Sequence, residues 1–208
     1  MGKAEENKRK KRLALLQHAY SLFTNKGIGP TTISDIAGHA GVGKGTFYSY
    51  FKDKDDLIEK LVAEKAEDVI KHAIHDLEKH PEAISVEDKF VVLADDILEQ
   101  LSADERLPRF INKNLNYGIF KKALTRDDVV ESLDIRSLYY NFINDGSTWR
   151  DPDIMLYTIV ELVGSTCHSI ILQKDPVDLE TYKPYLFECV RKIISVFRVE
   201  GPEAEPNE

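Results

Sequence analysis

Cysteine is scarce. Cys167 and Cys189 are the whole complement of a 208-residue chain. Two thiols cannot staple a disulfide scaffold, and they lack the paired spacing of a metal site, so a reducing, cytoplasmic setting is expected. A long uncharged apolar run is also missing. The best candidate, residues 154–172, carries Glu161 near its centre and then His168. A carboxylate at mid-span costs about 2.5–3.5 kcal/mol on insertion into a bilayer, which favours a buried helix over a membrane span. Residues 1–12 are basic, but no unbroken apolar stretch follows them, so a secretory signal is not expected. Apolar–polar alternation of the kind strands need is wanting throughout, and no segment repeats. Composition is that of a globular chain, with 42% hydrophobic and 31% charged residues, and this excludes wholesale disorder and collagen-like structure.

Charge is present but unevenly placed. The chain as a whole is at −8, yet residues 1–52 hold nine Lys and Arg against three acids, a net of +6, and the remainder stands at −14. A basic head on an acidic body points to an acidic partner for the head, with nucleic acid the leading class and a merely solubilising surface the alternative.

Helical periodicity fills the gap left by strands. Leu16, Ala19, Tyr20 and Phe23 recur at i, i+3, i+4 and i+7, so a first helix has one apolar face. Gly27 stops it and Gly29-Pro30 is a loop. Thr32-Ile33-Ser34-Asp35 reads as a capping box opening a short second helix, which Gly41-Val42-Gly43 interrupts. A third helix is expected over 44–51, with Phe47 and Phe51 on one face. Asp53 opens a long helix to about His80, where Pro81 forbids continuation. Ser85 opens another to about Leu101. Shorter pieces are expected over 107–124 and 127–145, and two long final helices over about 152–174 and 179–199, the former opened by Asp151-Pro152. The fold class is all-α: a three-helix head over 1–52, a helical bundle over 53–200 and a disordered tail over 201–208.

Residues 32–51 admit two incompatible chemistries. Gly38-His39-Ala40-Gly41-Val42-Gly43-Lys44-Gly45-Thr46 follows the spacing of a phosphate-binding loop, which would make the chain a nucleotide-dependent enzyme. Such a loop must follow a buried strand, whereas the residues before Gly38 are capped and helically periodic, and Gly45 stands where the pattern wants a hydroxyl. The rival is a helix-turn-helix. Ile36 and Ala37 would pack on Phe23, Phe47 and Phe51, leaving Lys44, Gly45, Thr46, Tyr48 and Ser49 on or near an exposed face. That face offers a cation, a close backbone approach and hydroxyls to a major groove.

Thr31-Thr32-Ile33-Ser34-Asp35-Ile36-Ala37, then Ala40-Gly41-Val42, then the run from Lys44 to Leu57 resemble the TetR family of bacterial regulators. The resemblance covers about residues 10–60 and beyond that is one of layout. It implies a homodimeric transcriptional regulator, most often a repressor, that binds a palindromic operator and usually a small molecule. By the same resemblance Thr32 and Lys54 are phosphate contacts, Gly43 caps the reading helix in place of the family's usual Ser or Thr, Lys44, Gly45 and Thr46 enter the groove, and Tyr48 and Tyr50 meet backbone and bases, with Ser49 beside them.

In the acidic remainder, the two final helices can pair with their copies as a four-helix interface. Tyr117, Phe120, Tyr139, Phe142, Trp149 and Tyr157 either line an effector cavity or are ordinary core. Glu161 and His168 share a helix face and either meet a ligand or pair across the dimer or with the backbone. No nucleophile, base and orienter come together, so neither catalysis nor a cofactor is expected. His72, His75, His80, Cys167 and His168 do not make a metal set.

Overall fold

A computed structural model describes residues 2–111 and 135–199. Helix α1, Lys3–Lys26, buries Leu15, Leu16, Ala19 and Phe23 and ends at Gly27. Gly27 has φ +91°, a value glycine adopts freely, and returns its N–H to the Phe23 carbonyl at 3.1 Å. Helix α2, Ile33–His39, opens on the expected capping box, in which Thr32 Oγ1 accepts from the Asp35 N–H at 3.1 Å and Asp35 accepts from the Thr32 N–H at 3.0 Å. Gly41, at φ +66°, makes the turn. Helix α3 spans Lys44–Tyr48, shorter than the 44–51 expected, although Tyr50 and Phe51 still return their N–H groups to Phe47.

Helix α4, Lys54–Leu77, is capped by Asp53. Helix α5, Val86–Ala103, is capped by Ser85. A short α6, Arg106–Ile111, follows. After the interval come α7, Ile135–Ile143, and α8, Pro152–His168. A π-helical turn, Ser169–Gln173, leads towards α9, Leu179–Phe197. Asp151 precedes α8 as expected, but it adopts φ 46° and its side chain makes no cap.

The expectation of no strands needs one correction. Thr148–Trp149 (β1) and Arg198–Val199 (β2) form a two-residue antiparallel pair. Long-range contacts impose it. The Arg198 guanidinium meets Glu87 at 2.9 and 3.0 Å, reaches Asp145 at 3.1 Å and lies 4.6 Å above the Trp149 ring. This ends α9 at Phe197, two residues short of the expected 199.

Two cores result. The first joins α1, α2 and α3 to Leu57, Ile58, Leu61 and Val62 of α4 and to Phe110 of α6, so it extends past residue 52. The second joins Phe90, Ala94 and Leu98 of α5 to Met155, Ile159 and Val163 of α8 and to Leu186, Val190 and Ile194 of α9. Leu107 packs against both. The segment Pro152–Gln173 is long and apolar enough to cross a membrane by length and composition. In the fold its Met155, Ile159 and Val163 turn to the second core.

Candidate nucleic-acid interface

The turn and α3 separate two kinds of side chain. Phe47 and Phe51 are 0% and 1% exposed, with ring centroids 5.4 Å apart, and share the first core with Ile36 and Phe23. Gly43, Lys44, Gly45, Tyr48 and Ser49 are exposed. Tyr48 leaves 52% of its surface free while its ring stands edge-on to Phe47 at 5.4 Å. A cation, a side-chain-free backbone at Gly45 and two hydroxyl groups therefore stand on one short element whose other face is locked. Thr46 and Tyr50 are half-buried, and Tyr50 packs against the first core. Gly43 has φ −72° and ψ 152°, the extended conformation of an N-cap that any residue adopts. The segment leading into Gly38 is helix α2, which the phosphate-loop reading does not allow.

Thr32 is exposed, but its hydroxyl already serves the cap. Asp35 also accepts from the Lys26 ammonium at 3.0 Å. The Thr32 backbone N–H first, then the Lys26 ammonium, lowers the Asp35 carboxyl from 3.8 to about 2. A carboxyl lowered on folding adds stability above its ordinary value, and that stability is lost as pH falls through the folded value. Acid titration from 3.8 down to about 2 should therefore loosen α2. In Asp35→Asn the thermal midpoint should fall less steeply across that window than in the wild type; equal slopes would remove Asp35 from the account.

Lys54, a phosphate contact by resemblance, also bonds within the fold. Its Nζ donates to the Ile28 carbonyl at 3.0 Å and the Thr31 carbonyl at 3.2 Å. The ammonium thus joins the start of α4 to the turn between α1 and α2, with one N–H to spare.

The family model described as "Bacterial regulatory proteins, tetR family" matches residues 15–61, the segment that builds this face and its core. The head of the chain is therefore similar to that of TetR-family regulators. Two regulators extend the likeness beyond the head. The fatty acid metabolism regulator protein of Bacillus subtilis (strain 168) is 27% identical over 188 residues, covering 80% of this chain and 96% of that protein. The transcriptional repressor KstR2 of Mycolicibacterium smegmatis is 28% identical over 157 residues, covering 65% of this chain and 74% of its own. The crystal structure of FadR from Bacillus subtilis in complex with stearoyl-CoA shares the fold, with a TM-score of 0.61, 18% identity and coverage of 88% of this chain and 97% of that one.

In the helices after the head, the residues proposed from sequence as effector contacts scatter. Tyr117 and Phe120 lie outside the described residues. Tyr139 is buried against Phe90 and donates its hydroxyl to the Pro152 carbonyl. Trp149 is half-buried and donates its indole N–H to the Ile143 carbonyl at 2.7 Å. The Tyr139 hydroxyl thus ties α7 to the start of α8, and the Trp149 indole ties β1 to the end of α7. Phe142 is half-buried. Tyr157 is 44% exposed and shares the outward stripe of α8 with Ile154 and Ser165. Glu161 and His168 are half-buried on that helix, and Nδ1 of His168 is buried with no hydrogen-bond partner among the described residues.

Sequence reasoning missed two connections that carry the head. Phe110 of α6 stacks on Phe23 at 6.1 Å and stands edge-on to Tyr20 at 5.5 Å. Gln100 of α5 donates to the Val69 carbonyl of α4 at 3.0 Å and to Asp96 at 2.6 Å, while His72 Nδ1 lies 3.0 Å from the same Asp96 oxygen. Neither a lone Phe in a six-residue helix nor a Gln on a polar stripe announces a long-range partner.

Proposed function

We propose that the chain is a homodimeric repressor that reads a palindromic operator with α3 and leaves it when a small molecule binds the helices after the head. One observation carries the reading: Lys44, Gly45, Tyr48 and Ser49 are exposed on an element whose opposite face, Phe47 and Phe51, is sealed in a core. Residues 1–52 with the first turns of α4 serve as the DNA-binding unit and the helices to residue 199 as the regulatory and pairing unit. Operator work places the protein in the cytoplasm, and no catalytic role is assigned.

Pairing is assigned to α8 and α9. Ile154 and Tyr157 on α8, with Tyr185 and Val196 on α9, leave 44–66% of their surfaces free. A stripe of that kind is covered in a twofold dimer, and two reading helices must meet half-sites about 34–36 Å apart. The α5–α4 tie through Gln100 and the α6–α1 stack through Phe110 join the effector region to the head. An effector that prefers one setting of these helices changes the spacing of the two α3 helices; such coupling typically amounts to about 5–150-fold in affinity.

The stearoyl-CoA of the FadR complex makes a long-chain acyl thioester the first effector to try. The test selects duplexes from a random-sequence pool with the purified chain, then titrates stearoyl-CoA into the complex. Affinity should fall within the range given. Gly45→Ala should lose at least tenfold in duplex affinity while keeping the wild-type melting temperature, because a Cβ at Gly45 meets nothing within 4 Å in the free protein. Full binding by Gly45→Ala would refute the close approach at that residue. A second reading, a regulator with a filled core and no effector, is favoured by the committed polar atoms of Tyr139 and Trp149. Duplex affinity unmoved by acyl-CoA would turn the conclusion to it.

A further inference from the structure

Helix α1 begins at Lys3, but its first fully buried residue is Leu15. Residues 2–11 are exposed. Nine helical residues therefore stand clear of the core, a rod of about 14 Å at 1.5 Å per residue. Packing does not account for this rod; its Ala, Glu, Lys and Arg are good helix formers, and the acids Glu5 and Glu6 sit in its first turn. Lys8 and Arg12 are like charges at i, i+4, which weakens a helix. Its cations are Lys3, Lys8, Arg9, Lys10, Lys11 and Arg12, against Glu5 and Glu6. Lys10 spends part of its charge on Glu6 at 2.7 Å, an exposed pair of small value. Arg12, at the base, lies 4.0 Å from Glu64 of α4. The rod also lies outside residues 15–61, the segment the family model matches.

From this we infer that residues 3–12 form a second DNA-binding element, a helical arm that contacts the sugar–phosphate backbone flanking each half-site without reading bases. The inference rests on the DNA-binding reading above. The arm continues α1, which shares the first core with Phe47 of α3, so arm and reading helix dock as one unit. Its chemistry suits phosphate: six cations over ten positions, with no aromatic or branched group to enter a groove. It does not suit a bilayer, because Ala4 is the arm's one apolar side chain and an interfacial helix needs an apolar face. The arm also answers a problem of the whole chain. Residues beyond 52 carry −14 and repel a polyanion, and local cations offset this where the duplex runs past the head.

The test uses the full chain, the triple variant Lys8→Gln, Lys10→Gln, Lys11→Gln, and two lengths of one selected duplex: trimmed to the half-sites, or extended a helical turn on each side. All three positions are exposed, so the fold is unaffected and melting temperatures should agree. On the extended duplex the variant's slope of log affinity against log salt should be shallower than the wild type's by up to about 5 units for six lost cations per dimer. Trimming should weaken the wild type more than the variant, which keeps Lys3, Arg9 and Arg12, while the ratio of selected to unrelated duplex stays the same for both. Equal slopes on the extended duplex, or a changed specificity ratio, would overturn the arm. A wild type that binds no duplex at all overturns the arm together with the reading it rests on.

Discussion

Phe47→Ala should cost about 3–5 kcal/mol of stability, the range for truncating a fully buried aromatic side chain, and should abolish operator binding with it. Phe47 has no exposed surface and touches rings on both sides, Phe51 and Tyr48 each at 5.4 Å. It is held from α3 into a cluster built by Leu15, Leu16 and Ile36 of the two preceding helices. Alanine would leave a void at the point where α1, α2 and α3 meet. Such a void is felt in full, because α2 and α3 have seven and five residues and cannot persist without the packing they share. Urea unfolding followed by far-ultraviolet circular dichroism measures the loss, and the same samples report duplex affinity. Tyr48→Ala is the counterpart. With half its surface already free, it should cost under about 1 kcal/mol of stability while still weakening the duplex complex. A Phe47→Ala protein as stable as the wild type would mean that α3 is not packed as described, and the sealed-face argument would go with it.

The two aromatic residues also show which parts of this molecule are legible in a sequence. Phe47 and Phe51 are four apart, and the core they enter follows from helical geometry and from the apolar residues of α1 and α2. The capping box at Thr32 and Asp35 is likewise local chemistry, and it formed as the residue types dictate. The choice between phosphate loop and helix-turn-helix turned on what precedes Gly38, again a local matter. Positions set by distant partners were not legible. Tyr139 and Trp149 are large and aromatic, which suits a cavity and a core alike; their polar atoms go to carbonyls thirteen and six residues away. The outward turn of Tyr157 follows from which stripe of α8 the second core selects, and periodicity alone does not choose between two apolar stripes on one helix. The end of α9 depends on Arg198 finding Glu87, 111 residues away, a contact with no trace in local propensity.

Lys54 tests the same distinction by experiment. Family resemblance makes it a phosphate contact, while the fold makes it a clip, with its ammonium bonded to the Ile28 and Thr31 carbonyls. Those carbonyls lie just before the Thr32 cap. The buried Thr31 hydroxyl ties the same turn to the Gly27 carbonyl at 2.7 Å. Lys54→Met keeps the aliphatic stem and removes three donors. Two acceptors then lose a charged partner, at about 1.5–3 kcal/mol each when buried; solvent reaches this half-buried site, so the expected total is about 1–3 kcal/mol. Operator affinity should fall too, by at least tenfold, because the turn that sets Thr32 and α2 loses its hold on α4. Salt dependence separates the two roles. A lost phosphate contact lowers the slope of log affinity against log salt by about 0.9 per protomer and leaves the free protein's stability intact. A lost clip lowers stability and affinity and leaves the slope unchanged. Lys54→Arg, which keeps the charge and can still donate to both carbonyls, should recover most of the stability. We expect the second pattern; a stable Lys54→Met protein with a shallower slope would return this ammonium to the DNA.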